Sequence, residues 1–169
     1  MERLWSPWRS KYIESFSEKG RAKKCIFCGV RNGKDEADRF IVWKGRECFI
    51  VMNVFPYNSG HLMVVPYSHH SSLDDLNDDE SLELMNGTKL AMKLLRRASH
   101  PDGFNIGANI GRSSGAGIEG HVHLHVVPRW QGDTNFLPVL TDTKIISQDM
   151  RDTYKKLKAA VKKLSAGKV

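Results

Sequence analysis

His121-Val122-His123-Leu124-His125-Val126-Val127 is the stretch that decides how this chain reads. Along an extended strand, residues two apart point to the same face. His121, His123 and His125 therefore line one side, while Val122, Leu124 and Val126 face the other and can enter a core. Three adjacent imidazoles suit a plain core badly, because each buries ring nitrogens that need partners. They suit chemistry. An imidazole titrates near physiological pH and can attack as a nucleophile, ligate a metal or pass a proton.

Just upstream lies a Gly/Ser-rich run, Gly111-Arg112-Ser113-Ser114-Gly115-Ala116-Gly117. Glycines let backbone amides approach an anion, and hydroxyls add donors. This run joins the histidine strand to another expected over 104–109. Further strands are expected at 40–43 and 48–52, around a turn at Lys44-Gly45-Arg46, and from His61 to Val65, ending at Pro66. Asn77 with Glu80 three residues on has the form of a capping box. The helix it opens carries Leu84, Thr88, Ala91, Leu95 and Ala98 on one stripe, and Pro101-Asp102-Gly103 closes it. A last helix after Ser147 presents Met150, Tyr154, Leu157, Val161 and Leu164. Its lysines (Lys155, Lys156, Lys158, Lys162 and Lys163) fall mostly on the opposite, solvated face. Helices and strands do not alternate regularly, so the expected class is α+β with a mostly antiparallel sheet. The expected organisation is an arm over 1–24, a main domain over 25–140, and a C-terminal helix and tail over 141–169.

With 169 residues, 40% of them hydrophobic, the chain fits one domain with a sizeable core. No apolar run approaches the roughly 20 residues of a membrane helix, and Met1-Glu2-Arg3-Leu4-Trp5 is too polar for an export signal. Three cysteines argue against a closed disulfide framework and for a reducing cytoplasm. The net charge of +7 favours anionic partners, but no helix-turn-helix or RNA-recognition signature points to nucleic acid. Cys25-Ile26-Phe27-Cys28 is by itself half a zinc site or a redox pair, and the polar turn after it disfavours a thioredoxin-like setting. Cys48 reads as a small core hydrophobe.

Taken with its apolar partners, the histidine row resembles the signature of the histidine-triad (HIT) superfamily of nucleotide hydrolases and transferases. Pro128-Arg129-Trp130 and Arg3-Leu4-Trp5-Ser6-Pro7-Trp8-Arg9 look like its diadenosine tetraphosphate phosphorylase branch, also called ATP adenylyltransferases. The resemblance implies the HIT fold: a mostly antiparallel five-stranded sheet with two main helices, joined to a second copy in a homodimer with one continuous sheet. It implies His123 as the nucleophile, with its other nitrogen on the carbonyl of His121, and His125 and His61 near the phosphates. His61 stands in the family-like Asn58-Ser59-Gly60-His61-Leu62-Met63-Val64-Val65-Pro66. Asn53, eight residues before His61, matches a ribose-binding position. Phe27 and Val54 match apolar positions around the base, and Asn109 a phosphate-side amide. Trp130 is left open between stacking on a second base and a dimer contact, and Trp5 and Trp8 hint at docking on a partner or near substrate.

Many relatives place Gln then Ser or Thr shortly before the first histidine, where this chain has Gly117 and Ile118. Ser113, Ser114 or the amides around Gly115 are then expected to contact phosphate. The resemblance also implies a structural zinc on Cys25, Cys28, His69 of Pro66-Tyr67-Ser68-His69, and His121, with His70 as the rival for His69, and no organic cofactor. The expected activity is phosphorolysis of diadenosine tetraphosphate to ATP and ADP, with a purine nucleotide and inorganic phosphate as ligands. The alternatives are a water-dependent hydrolase of phosphoramidates or dinucleoside polyphosphates, and a zinc-stabilised nucleotide-binding module without turnover.

Overall fold

A computed structural model describes residues 25–30, 36–134, 146 and 148–167. The arm expected over 1–24, with Trp5 and Trp8, lies outside the described residues. Five strands form one antiparallel sheet: β1 (Ile41–Lys44), β2 (Cys48–Met52), β3 (Leu62–Pro66), β4 (Gly103–Gly107) and β5 (Leu124–Arg129), in the spatial order β1-β2-β3-β5-β4. Two helices, α1 (Asp78–Ser99) and α2 (Met150–Ser165), cover one face. The expected α+β class and five-stranded sheet are observed. No helix among the described residues is long and apolar enough to cross a membrane.

Strand periodicity splits the core in two. Cys48, Ile50, Met52, Leu62, Val64 and Val126 face the helices, where Leu84, Ala91, Leu94, Leu95 and Leu157 meet them. Phe49, Val51, Met63 and Val65 face the other side and are covered by Phe27 and Val30 from the Cys-x-x-Cys segment. Every residue of β2 and β3 is buried, because both faces carry a layer. Gly87 lets α1 approach closely: a Cβ there would lie 2.8 Å from Val64 Cγ1.

α1 starts as the sequence predicts. The Asn77 side chain accepts from Glu80 N–H, and the Glu80 carboxylate accepts from Asn77 N–H. It ends at His100, which takes the left-handed cap conformation (φ 47°, ψ 56°) directly before Pro101. Glu83 on α1 accepts the N–H groups of Arg46, Glu47 and Cys48, tying the β1–β2 turn to the helix. α2 belongs to the same core: Leu157 and Ala160 are buried in it, and the Tyr154 hydroxyl donates to Ile41 O at 3.1 Å. Cys48 is fully buried, and burial pushes its thiol up to about 12, in keeping with a small hydrophobe.

Two strand expectations are corrected. The strand expected from His121 begins only at Leu124, because β3 ends at Pro66, which has no N–H for the ladder. The Pro66 carbonyl instead accepts from the His121 ring, and Val122 N–H reaches His70 O at 2.7 Å. Likewise β4 stops at Gly107, opposite His125, leaving Asn109 in the loop beyond.

Candidate active site

The histidines gather on the sheet face away from the helices. The rings of His123 and His125 lie 4.8 Å apart, and those of His61 and His125 lie 5.0 Å apart. Backbone groups fix which nitrogen of each ring carries a proton. His123 Nδ1–H donates to His121 O at 2.8 Å, and its Nε2 has no hydrogen-bond partner among the described residues. His61 Nδ1 accepts from the Tyr57 N–H at 3.1 Å. A neutral His61 therefore carries its proton on Nε2, which lies 2.9 Å from His125 Nδ1. His125, accepting at Nδ1, carries its own proton on Nε2.

Burial enforces neutrality. His61 is pushed down to about 3, first by desolvation and then by neighbouring His125 and His123. His123 is lowered too, by burial, with its bond to the His121 carbonyl opposing. The Tyr57 ring stacks on His61 at 4.9 Å and 29°. The result is an unprotonated nitrogen beside a proton donor, as group transfer through a histidine needs.

A cavity of about 1050 Å³ opens in front of this row. His123, His125, Asn53, Phe27, Val54, Asn109 and Gly115 line it, as do Gly117 and Ile118. Its floor is apolar, from Ile41, Phe49, Val51 and Met63, while Arg39 and the Arg112–Glu119 ion pair (3.8 Å) add charged groups to its wall. Asn53 is held by Phe55 N–H donating to its Oδ1 at 2.9 Å, which turns Nδ2 toward His61 Nδ1 at 3.3 Å. Not every expected residue is on the wall. His61 sits one layer behind His125. The Ser114 hydroxyl turns back to Gly111 O at 2.7 Å in the short 3-10 turn Arg112–Ser114, and Ser113 lies in the same turn off the wall. The Trp130 indole N–H is directed at Ser99 O (3.1 Å) and His100 O (3.2 Å) at the end of α1.

At the N-terminal end of the row, Cys25, Cys28, His69 and His121 form a cluster whose ligand atoms all lie within 4.8 Å of one another. Cys25 Sγ is 3.3 Å and Cys28 Sγ 3.7 Å from His121 Nδ1, and Cys28 Sγ is 3.1 Å from His69 Nδ1. Tetrahedral zinc sets such atoms roughly 3.3–3.8 Å apart, so the four fit a metal ion. His121 Nε2–H donates to Pro66 O at 2.8 Å, which leaves Nδ1 free for a metal. His69 completes the group, whereas His70 contributes its carbonyl to Val122.

The HIT domain family model matches residues 34–132. This chain belongs to the HIT family. It is 41% identical over 162 residues to the AP-4-A phosphorylase of Mycobacterium tuberculosis, covering 93% of this chain and 83% of that one. It is 25% identical over 109 residues to an adenylylsulfatase of Arabidopsis thaliana, covering 64% and 54%. The fold is similar to that of a Zn-bound histidine triad family protein from Mycobacterium smegmatis, with a TM-score of 0.69 and 25% identity over 85% of this chain and 97% of the other.

Within this HIT site, Tyr57, Arg39 and the apolar floor carry no motif by which the sequence marks them. Tyr57 acts partly through its N–H, which any residue but proline offers, so its type carries no signal. The floor residues read from sequence only as strand residues, yet strand alternation places Val51 and Met63 on the face that carries His125.

Proposed function

We propose that this HIT protein is a diadenosine tetraphosphate phosphorylase working through a nucleotidyl-His123 intermediate. The observation that carries the reading is the His123 hydrogen bond to the His121 carbonyl, which leaves Nε2 as a lone pair facing the cavity. Nε2 attacks the α-phosphorus. A P–N bond forms as the bond to the bridging oxygen breaks, and ATP leaves with the electron pair. The Nε2–H of His125 stabilises charge on the leaving and non-bridging oxygens. An oxygen of inorganic phosphate then attacks the same phosphorus, the P–N pair returns to His123, and ADP departs.

In the same reading a purine lies on the apolar wall that Phe27, Ile41, Val51 and Met63 form together, with Val54 at the edge. Asn53 meets the ribose hydroxyls. Asn109 and the amides around Gly115 meet the phosphates. His61, behind His125, is a positioning residue. Zinc on Cys25, Cys28, His69 and His121 would supply a structural cross-link, holding Phe27 within 5.3 Å of both His121 and His123. Cys25 and Cys28 are free thiols, which suits a reducing cytoplasm. A homodimer with a continuous sheet is part of the reading, and β4 is an outer strand with Ile106 exposed. The mass in solution tests it.

Opening the intermediate with water is the second reading. Gly117 and Ile118, on the cavity wall, bring no side-chain donor to the leaving group, and the match to an adenylylsulfatase shows that one named relative has another activity. Product analysis of diadenosine tetraphosphate, with and without phosphate, separates the two. ADP plus ATP formed only with phosphate supports the phosphorylase. AMP plus ATP regardless of phosphate makes the protein a hydrolase.

A further inference from the structure

Pro128-Arg129-Trp130, which runs out of the end of β5, meets Asp133 and Asn58 in a polar clamp behind the histidines. The Asp133 side chain is 6% exposed. Its Oδ2 accepts from Arg129 Nε at 2.6 Å, Asn58 Nδ2 at 2.8 Å and Trp130 N–H at 3.1 Å, and its Oδ1 accepts from Arg129 Nη2 at 2.8 Å. Asn58 is 5% exposed, and its Nδ2 also donates to Pro128 O at 3.0 Å. Its Oδ1 accepts from Ser59 N–H at 3.2 Å, so the amide cannot flip without losing bonds at both ends. Arg129 Nη1 donates to Asn105 Oδ1 on β4 at 2.7 Å, which anchors the clamp to the sheet. A two-pronged Arg–carboxylate pair is strong and geometrically strict, and a buried carboxylate without its partners is costly.

This clamp holds the loop that sets the histidine protons. Asn58 O accepts from His61 N–H at 3.1 Å, and the adjacent Tyr57 supplies both the N–H on His61 Nδ1 and the stacked ring. Gly60 takes φ 78°, which lets the loop turn back onto β3. Pro128 stands three residues beyond His125, so Asn58 ties the loop of one histidine to the strand of the other. We propose that Asp133, acting through Asn58, is a positioning residue that keeps the proton of His61 on Nε2 and that of His125 on its outward Nε2. The value of that tautomer for turnover rests on the mechanism proposed above, but the tautomer itself can be read without substrate.

The experiment uses full-length zinc-loaded protein with 15N-labelled histidine and long-range 1H–15N correlation. Wild type should show His61 and His125 each protonated at Nε2 alone. Asp133→Ala should show mixed or exchanging tautomers at both rings, with kcat down about 10- to 100-fold and KM within about twofold. Asp133→Asn keeps an oxygen for Asn58 and should restore the tautomers and most of kcat. Unchanged tautomers in a folded Asp133→Ala protein overturn the proposal, even if Tm and KM move, since those would report only a turn lock. If that variant does not fold, Asn58→Ser is read by the same criteria. The mechanism fails separately, if His123→Asn keeps its turnover.

Discussion

The two ends of the histidine row are held by opposite chemistry. At the N-terminal end the backbone offers carbonyls: Pro66 O takes the proton of His121 Nε2, and His121 O takes that of His123 Nδ1. The free nitrogens, His121 Nδ1 and His123 Nε2, therefore present lone pairs, one to the thiols and one to the cavity. At the other end the backbone offers an N–H, from Tyr57 to His61 Nδ1, and the relay through His125 turns a proton outward. Carbonyl against imidazole makes a ligand or nucleophile, and amide against imidazole makes a donor. His123, just before β5, and His125, on it, thus carry opposite polarities two residues apart.

Removing the proposed nucleophile should have the largest effect. His123→Asn keeps an amide able to reach His121 O but has no nitrogen lone pair for phosphorus. Turnover should fall by on the order of 10³-fold or more, with zinc content and Tm unchanged. Retention of activity would show that the carbonyl-bound end does not supply the attacking group.

Breaking the metal end should come next, and it should look different. Cys28→Ser removes one of the four proposed zinc ligands, next to Phe27, so zinc should drop below about half an equivalent. Tm should fall by about 5 °C or more, the loss of a few kcal/mol in a domain of this size. In the proposed reading Phe27, which lines the cavity, is part of the base wall, so KM should rise by more than kcat falls. Zinc loss with unchanged KM and Tm would mean that the cluster does not brace the pocket.

Acid should erode both ends through the same groups. His123 and His61 are both lowered from 6.5, His61 to about 3, chiefly by burial. Both must be neutral for the row to work, so kcat/KM should hold its plateau at pH 6.5 and lose activity only below it. Stability follows the same sign. Between 6.5 and the folded value the unfolded chain binds protons that the folded chain refuses, so unfolding becomes easier as pH falls through that window. Above it these groups leave Tm flat. A Tm that rises on acidification from pH 7.5 to 5 would contradict the buried neutral pair.

Patterns that are local in sequence were legible: the alternating histidines, the Asn77–Glu80 box, the Cys-x-x-Cys pair. Their distant partners were legible only through the family resemblance, as His69 of Pro66-Tyr67-Ser68-His69 was. What stayed hidden depends on the main chain or on distance. That β5 starts at Leu124 follows from Pro66 on the neighbouring strand. The Asn58–Asp133 bond joins residues 75 apart, and an Asn and an Asp at such a distance carry no pattern. That Trp130 meets the end of α1 depends on where β5 lies against the helix. That His61 stands behind His125 depends on the register of β3 against β5, in which Met63, not His61, faces His125.

The loop over the cavity belongs to neither end, and it gives the smallest effect. Ser114 bonds within its own turn and lies off the cavity wall, whereas Gly115 lines the wall with φ 80°. Ser114→Ala loses one exposed bond and should leave kcat/KM within about twofold and stability within about 0.5 kcal/mol. Gly115→Ala forces a Cβ into the left-handed region, at about 1–2 kcal/mol, and should lower kcat/KM several-fold by shifting amides on the wall. If Ser114→Ala instead cost more than tenfold, its hydroxyl must leave Gly111 O to reach the phosphates. The donor at His125 would then share its task with the loop, and the division of labour between the two ends of the row would be incomplete.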